Sequence, residues 1–149
     1  MPTSLVIVDM QQNFPAANEP SAILGAAKEI ERAKKRKAGI VFLEFQNLDP
    51  THEVYRKLLK DYPYLVRTRK SEMDGSEQVL RALRRKKFDV DRIRVCGVNS
   101  CHCVRATVDG LLLRSDAKIE VSTKACACDC QHQACWRNYR HDRLTLLFK

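Results

Sequence analysis

The chain has 149 residues, enough for one domain that buries roughly 68–70% of its unfolded surface without disulfides or a structural metal. Its 27 Lys and Arg against 18 Asp and Glu give a net charge of +9, which calls for a test of nucleic-acid binding. No basic n-region with an apolar run opens the sequence, and "LVIV" (Leu5 to Val8) is too short to span a membrane, so a cytoplasmic, membrane-free protein is expected.

Taken in order, six short apolar runs predict strands: "SLVIVD" (4–9), "GIVFLEF" (39–45), "YLVRT" (64–68), "RIRVCGV" (92–98), "KIEVS" (118–122) and "LTLLF" (144–148). Helical stripes fill most of the gaps. Ile23, Ala26, Ala27, Ile30 and Ala33 repeat at i, i+3, i+4, i+7 between Ser21 and Lys37, and Val79, Leu80 and Leu83 do so between Asp74 and Lys87. Asp74 with Glu77 resembles a capping pair. Val104, Thr107, Val108, Leu111 and Leu112 form the next stripe, and 51–60 and 129–140 are weaker helical stretches. Strand alternating with helix, with near-continuous apolar strands, predicts one doubly wound, Rossmann-like α/β domain over 1–149. Its sheet is mostly parallel, six-stranded, of order 3-2-1-4-5-6, with helices on both faces.

The basic runs "KKRK" (34–37) and "RALRRKK" (81–87) fall at the ends of these helices, where cations complement the dipole and face solvent. No interleaved aromatics accompany them, so no specific nucleic-acid partner is expected.

Ligands of such sheets bind beyond the carboxyl ends of the strands. That rule selects Asp9 at the end of the first strand, Lys70 after the third and "NSCHC" (99–103) after the fourth. The seven cysteines, an odd number, are expected as free thiols in a reducing compartment. Cys96 lies inside a strand and reads as a buried, inert residue. Cys101 and Cys103 start a helix, where dipole and free N–H groups favour a thiolate. On a regular wheel Cys101 falls roughly 50° and Cys103 roughly 110° from the apolar stripe, which inclines the choice to Cys103 and leaves Cys101 open.

"VIVDMQQNF" (6–14), the lone Lys70, and "VCGVNSCHCVRATVDGLL" (95–112) resemble, in the same order, the isochorismatase-like cysteine hydrolases, which include nicotinamidases, carbamoylsarcosine amidohydrolases and ureide hydrolases. The resemblance implies a catalytic triad of Asp9, Lys70 and Cys103 and a cis peptide between Val98 and Asn99. It also implies an oxyanion hole from the backbone N–H groups of Asn99 and Cys103, and substrate contacts at Gln11 and Phe14. It implies hydrolysis of a C–N bond in a small amide or ureide with no cofactor, in a protein that self-associates. Asp49 and His52 do not reproduce the metal-ligand set of the nicotinamidases, so no metal is expected there. Arg67, Arg69 and Arg105 are further candidates for a substrate carboxylate. The tail cysteines 126, 128, 130 and 135 with His132 lack the usual C-x₂₋₄-C spacing of zinc sites and are expected to pack as thiols. Beside the hydrolase reading stand a non-catalytic binding relative and a basic nucleic-acid binder.

Overall fold

The computed structural model describes residues 2–130 and 132–148, and at 132 and 133 the backbone alone. Six strands, β1 (Ser4–Val8), β2 (Ile40–Phe45), β3 (Leu65–Lys70), β4 (Arg92–Val98), β5 (Lys118–Ala127) and β6 (Leu144–Leu147), form one sheet. Its order is β3-β2-β1-β4-β5-β6. All five pairings are parallel. A parallel sheet needs crossovers that cover its faces, and the crossovers here are α1 (Pro20–Lys35), α2 (Glu53–Leu58), α3 (Ser76–Lys86) and α4 (Arg105–Arg114). Both faces of β1 are covered, and every residue from Ser4 to Val8 is buried.

The alternating pattern was sufficient for the architecture, and the elements depart from it in places that matter for the site. β3 runs on to Lys70, so the lysine is the strand's last residue rather than part of the loop after it. α3 starts at Ser76, with Gly75 as its cap, and Asp74 Oδ1 accepts the Ser76 N–H at 2.8 Å. The Asp74/Glu77 pair is therefore not a capping box. β5 continues through Ala127 because Ser122 to Ala127 stay mostly buried beside β4 and α1. Of the helical stretch expected at 129–140, only a short 3₁₀ segment, His132–Trp136, forms. Arg36 and Lys37, and Arg84 to Lys87, are exposed at the C-terminal ends of α1 and α3. No described helix is long and apolar enough to cross a membrane.

Gly97 brings the two central strands together. Its φ is +127°, and a Cβ there would lie 2.1 Å from the carbonyl oxygen of Val8, so only glycine allows β4 to approach the end of β1 this closely. Asp9 follows at φ +52°, a left-handed conformation that Asp tolerates better than most residues. Its N–H donates to the Leu43 carbonyl at 2.9 Å. The carboxylate is thus placed by the backbone of its neighbouring strand.

Candidate active site

Asp9, Lys70 and Cys103 converge at the carboxyl edge of the sheet, each at most 7% exposed. Lys70 Nζ lies 3.1 Å from Asp9 Oδ2 and donates to Cys103 Sγ at 3.4 Å. A third bond, 2.9 Å to the Glu72 carbonyl, fixes the ammonium. Its fourth side rests on the Phe45 ring, 4.3 Å from the centroid, a cation–π contact that lets a buried cation sit against apolar surface. Phe45 and the Glu72 carbonyl went unnoticed in the sequence. Phe45 ends β2, so the same strand-end rule that selected Asp9 and Lys70 could have found it.

Burial pushes the Asp9 carboxyl up; Lys70, and then the Cys103 thiol, oppose this without cancelling it. Cys103 is raised to about 12, first by burial and then by Asp9, against the pull of Lys70. The thiolate preference expected from the helix start is therefore opposed in the assembled site, where burial and a neighbouring carboxylate outweigh the cation. When Asp9 is ionised and Cys103 is a thiol, passing the proton from sulfur to carboxylate leaves the total charge facing Lys70 unchanged.

The Val98–Asn99 peptide is cis. From Ser100 to Val104 the chain winds as a π turn, with the Val104 N–H donating to the Asn99 carbonyl at 3.1 Å. The His102 N–H shares that acceptor, and the Asn99 side-chain oxygen accepts from the Asp129 N–H at 3.3 Å. Such turns interrupt helices at functional sites and break the 100° spacing assumed on a regular wheel. Here Cys103 faces Lys70, and Cys101 turns away toward the tail, where its sulfur is bonded to that of Cys135.

Gln11 is fully buried and commits both amide hydrogens, to the carbonyls of Phe45 (3.0 Å) and Asp49 (2.8 Å), while its oxygen accepts the Phe45 N–H at 2.8 Å. It pins the loop after β2 and has no hydrogen left for a substrate. Phe14 stands half-buried, edge-on to Phe45 at 6.5 Å, and extends the apolar wall beside the triad. The arginine candidates are engaged elsewhere. Arg67 pairs with buried Glu44 at 3.0 Å and Arg69 lies 3.9 Å from it, while Arg105 donates to the Cys135 carbonyl and covers the Tyr139 ring. Asp49 and His52 form no ligand cluster among the described residues, and His52 caps α2 through Nδ1. Cys96 is buried, with its thiol raised well above the ordinary value by burial first.

No family model matches the chain, and no curated protein matches it by sequence. Solved structures match it throughout. The nicotinamidase from Staphylococcus aureus superposes at a TM-score of 0.81, with 17% identity over 97% of this chain and 98% of that one. The fold is isochorismatase-like. N-carbamoylsarcosine amidase from Thermoplasma acidophilum follows at 0.73, with 19% identity over 99% of this chain and 96% of that one. The MAR1 ribonuclease from Caenorhabditis elegans reaches 0.76, with 17% identity over 91% of this chain and 70% of that one.

Proposed function

We propose that the protein is a cysteine hydrolase that cleaves the C–N bond of a small amide or ureide. The observation that carries this reading is the buried Lys70 ammonium set between a carboxylate at 3.1 Å and a thiol at 3.4 Å, brought together from the ends of β1 and β3 and from the turn after β4. A carboxylate paired with a cation alone is a common structural device; a thiol on the same ammonium is the arrangement of an activated nucleophile.

Asp9 takes the Cys103 proton as sulfur attacks the substrate carbonyl. The oxyanion forms against the N–H groups of Asn99 and Cys103, each such donor being worth on the order of 2.7–4 kcal/mol. Lys70 holds whichever of Asp9 and Cys103 is charged. As the C–N bond breaks, Asp9 returns the proton to the departing amine and a thioester remains on Cys103. Water, deprotonated by Asp9, then adds to the thioester; the acid leaves and the proton returns to sulfur. Three side chains, two backbone donors and water complete the cycle, with no group oxidised or reduced.

Fold-mates that act on nicotinamide and carbamoylsarcosine fit this chemistry, and the apolar wall of Phe14 and Phe45 suits a flat, uncharged substrate. The test is a panel of amides, carbamoyl amines and ureides, read by ammonia release and by intact mass for an acyl adduct, with RNA as a further substrate. Amide turnover with an adduct on Cys103, both lost in Cys103→Ala, is the expected result. Turnover that survives Cys103→Ala would refute the nucleophile. RNA cleavage without amide turnover would move the protein to the chemistry named for the ribonuclease of this fold, and no turnover of either would leave a binding relative.

A further inference from the structure

Four cysteines that the triad does not use meet beside it. Cys101 comes from the π turn, Cys128 and Cys130 from the segment just after β5, and Cys135 from the 3₁₀ segment. Their four sulfurs all lie within 4.8 Å of one another. They stand as two bonded pairs, Cys101 with Cys135 and Cys128 with Cys130. The pairs also touch: Cys130 Sγ is 3.3 Å from Cys101 Sγ and 3.5 Å from Cys135 Sγ. The expectation of free thiols fails for these four and holds for Cys96, Cys103 and Cys126.

We propose that, when reduced, Cys101, Cys128, Cys130 and Cys135 hold one zinc ion as a tetrathiolate. Zinc–sulfur bonds of about 2.3 Å place the sulfurs of a tetrahedral site about 3.8 Å apart, and the contacts between the two pairs already approach that spacing. Two independent disulfides have no need to share one place. The Cys128–Cys130 link also encloses a single residue, so as a covalent clamp it restrains almost nothing of the unfolded chain. An ion bound by all four joins the nucleophile turn to the tail in one step. Cys130 is exposed and Cys101 half-buried, which gives reductant and metal a path in. Arg105, which donates to the Cys135 carbonyl at 3.2 Å, sets a positive charge beside a site that four thiolates leave net negative. Cys126 lies outside the group, fully buried with its sulfur on the Ser122 carbonyl at 3.3 Å.

Reduction of the two disulfides takes four electrons, from two phosphines that become phosphine oxides with water giving the oxygen and the four protons, or from two dithiols that close to disulfides; the four thiols then release their protons as the metal binds. The zinc site stands on this geometry whether or not Cys103 is a nucleophile. The experiment uses the full chain, reduced without oxygen, titrated with Co²⁺ and then Zn²⁺. The expected result is thiolate-to-cobalt charge transfer with tetrahedral d–d absorption, saturating at about one ion per chain and displaced by zinc. Cys128→Ser and Cys135→Ser should each weaken binding by more than the about 10–100-fold typical of losing an outer partner, while Cys126→Ser should bind as wild type. The wild-type titration decides the matter even where a variant fails to fold. A reduced wild-type chain in which the thiols of Cys101, Cys128, Cys130 and Cys135 are all alkylatable and no cobalt–thiolate absorption appears overturns the proposal, as does a Cys126→Ser chain that loses binding as completely as Cys128→Ser.

Discussion

Replacing Lys70 with Met keeps the length of the side chain and removes the charge from the centre of the triad. Lys70 Nζ and Asp9 Oδ2 are 3.1 Å apart with side chains at most 1% exposed, so at an effective dielectric near 20 their attraction is about 5 kcal/mol. Part of that offsets desolvation, and removing one partner of a buried pair costs about 3–5 kcal/mol at neutral pH. The cost depends on pH in a definite direction. Burial is the main influence on Asp9 and raises it; Lys70 is the main opposing one. Without Lys70 the carboxyl rises further. A group raised on folding stabilises fully below its unfolded value and loses that contribution as pH rises through its folded one. Lys70→Met should therefore be closest to wild type in mild acid and fall furthest behind it in mild alkali, a trend that urea unfolding at pH 5 and 8 would show. Activity should follow the same proton. With Asp9 raised further and no cation for the thiolate, kcat/KM on the best amide should drop by about 10³-fold, the equivalent of about 4 kcal/mol. The acid limb of its pH profile should move to higher pH. A variant with wild-type stability at pH 8, or with an unmoved acid limb, would refute the electrostatic account of the triad.

The sheet order and the two central strands were legible because apolar runs and helical stripes alternate cleanly, and a parallel sheet admits few ways to connect them. The strand-end rule then gave Asp9, Lys70 and the 99–103 turn from position alone. The direction of each sulfur was not legible in the same way. A wheel assumes regular winding, whereas the turn at Ser100–Val104 is π-wound, and nothing in the composition of "SCHCV" distinguishes the two. The ionisation of Cys103 is hidden for a related reason: helix position and a nearby lysine are local facts, but the depth of burial that dominates the thiol is a property of the assembled sheet. The tail cysteines were hidden by topology. Cys101 is 34 residues from Cys135, and only the extension of β5 past Ser122, which its strand pattern did not announce, carries the tail back to the turn at Ser100–Val104. Gln11 shows the converse, since a polar residue near a site suggests a ligand contact until the loop that consumes its hydrogen bonds is seen.

Gln11→Ala removes three hydrogen bonds to the loop after β2 and should cost about 2–4 kcal/mol in urea unfolding; a loss under about 0.5 kcal/mol would show that the loop holds itself. Gly97→Ala sets a Cβ against the Val8 backbone at a φ that L residues avoid, so the variant should be recovered largely unfolded, and a well-folded, active protein would contradict the close approach of β1 and β4. Binding to labelled duplex DNA should be weak, with Kd about 10⁻⁴–10⁻⁶ M near physiological salt, because exposed lysines and arginines at helix ends supply charge without base readout. Glu44 offers a test at the edge of the site. Its side chain is 2% exposed, and burial alone would raise it, but bonds from Arg67 and from the Thr51 N–H and hydroxyl outweigh burial and hold it below its ordinary value of 4.5. A group lowered on folding stabilises above its unfolded value and loses that contribution as pH falls through its folded one. Glu44→Gln keeps the shape and gives up the charge. At pH 7 it should lose about 1.5–3 kcal/mol, the range for hydrogen bonds to a charged group, toward the low end because Arg67 is 43% exposed and its share is screened. As pH falls below 4.5 the unfolded chain takes up its proton before the folded one, so wild type loses this contribution and the two unfolding curves should draw together. A gap that stays constant from pH 7 to pH 3 would mean that the variant disturbs packing and that the carboxylate's charge contributes nothing to the loop carrying Thr51.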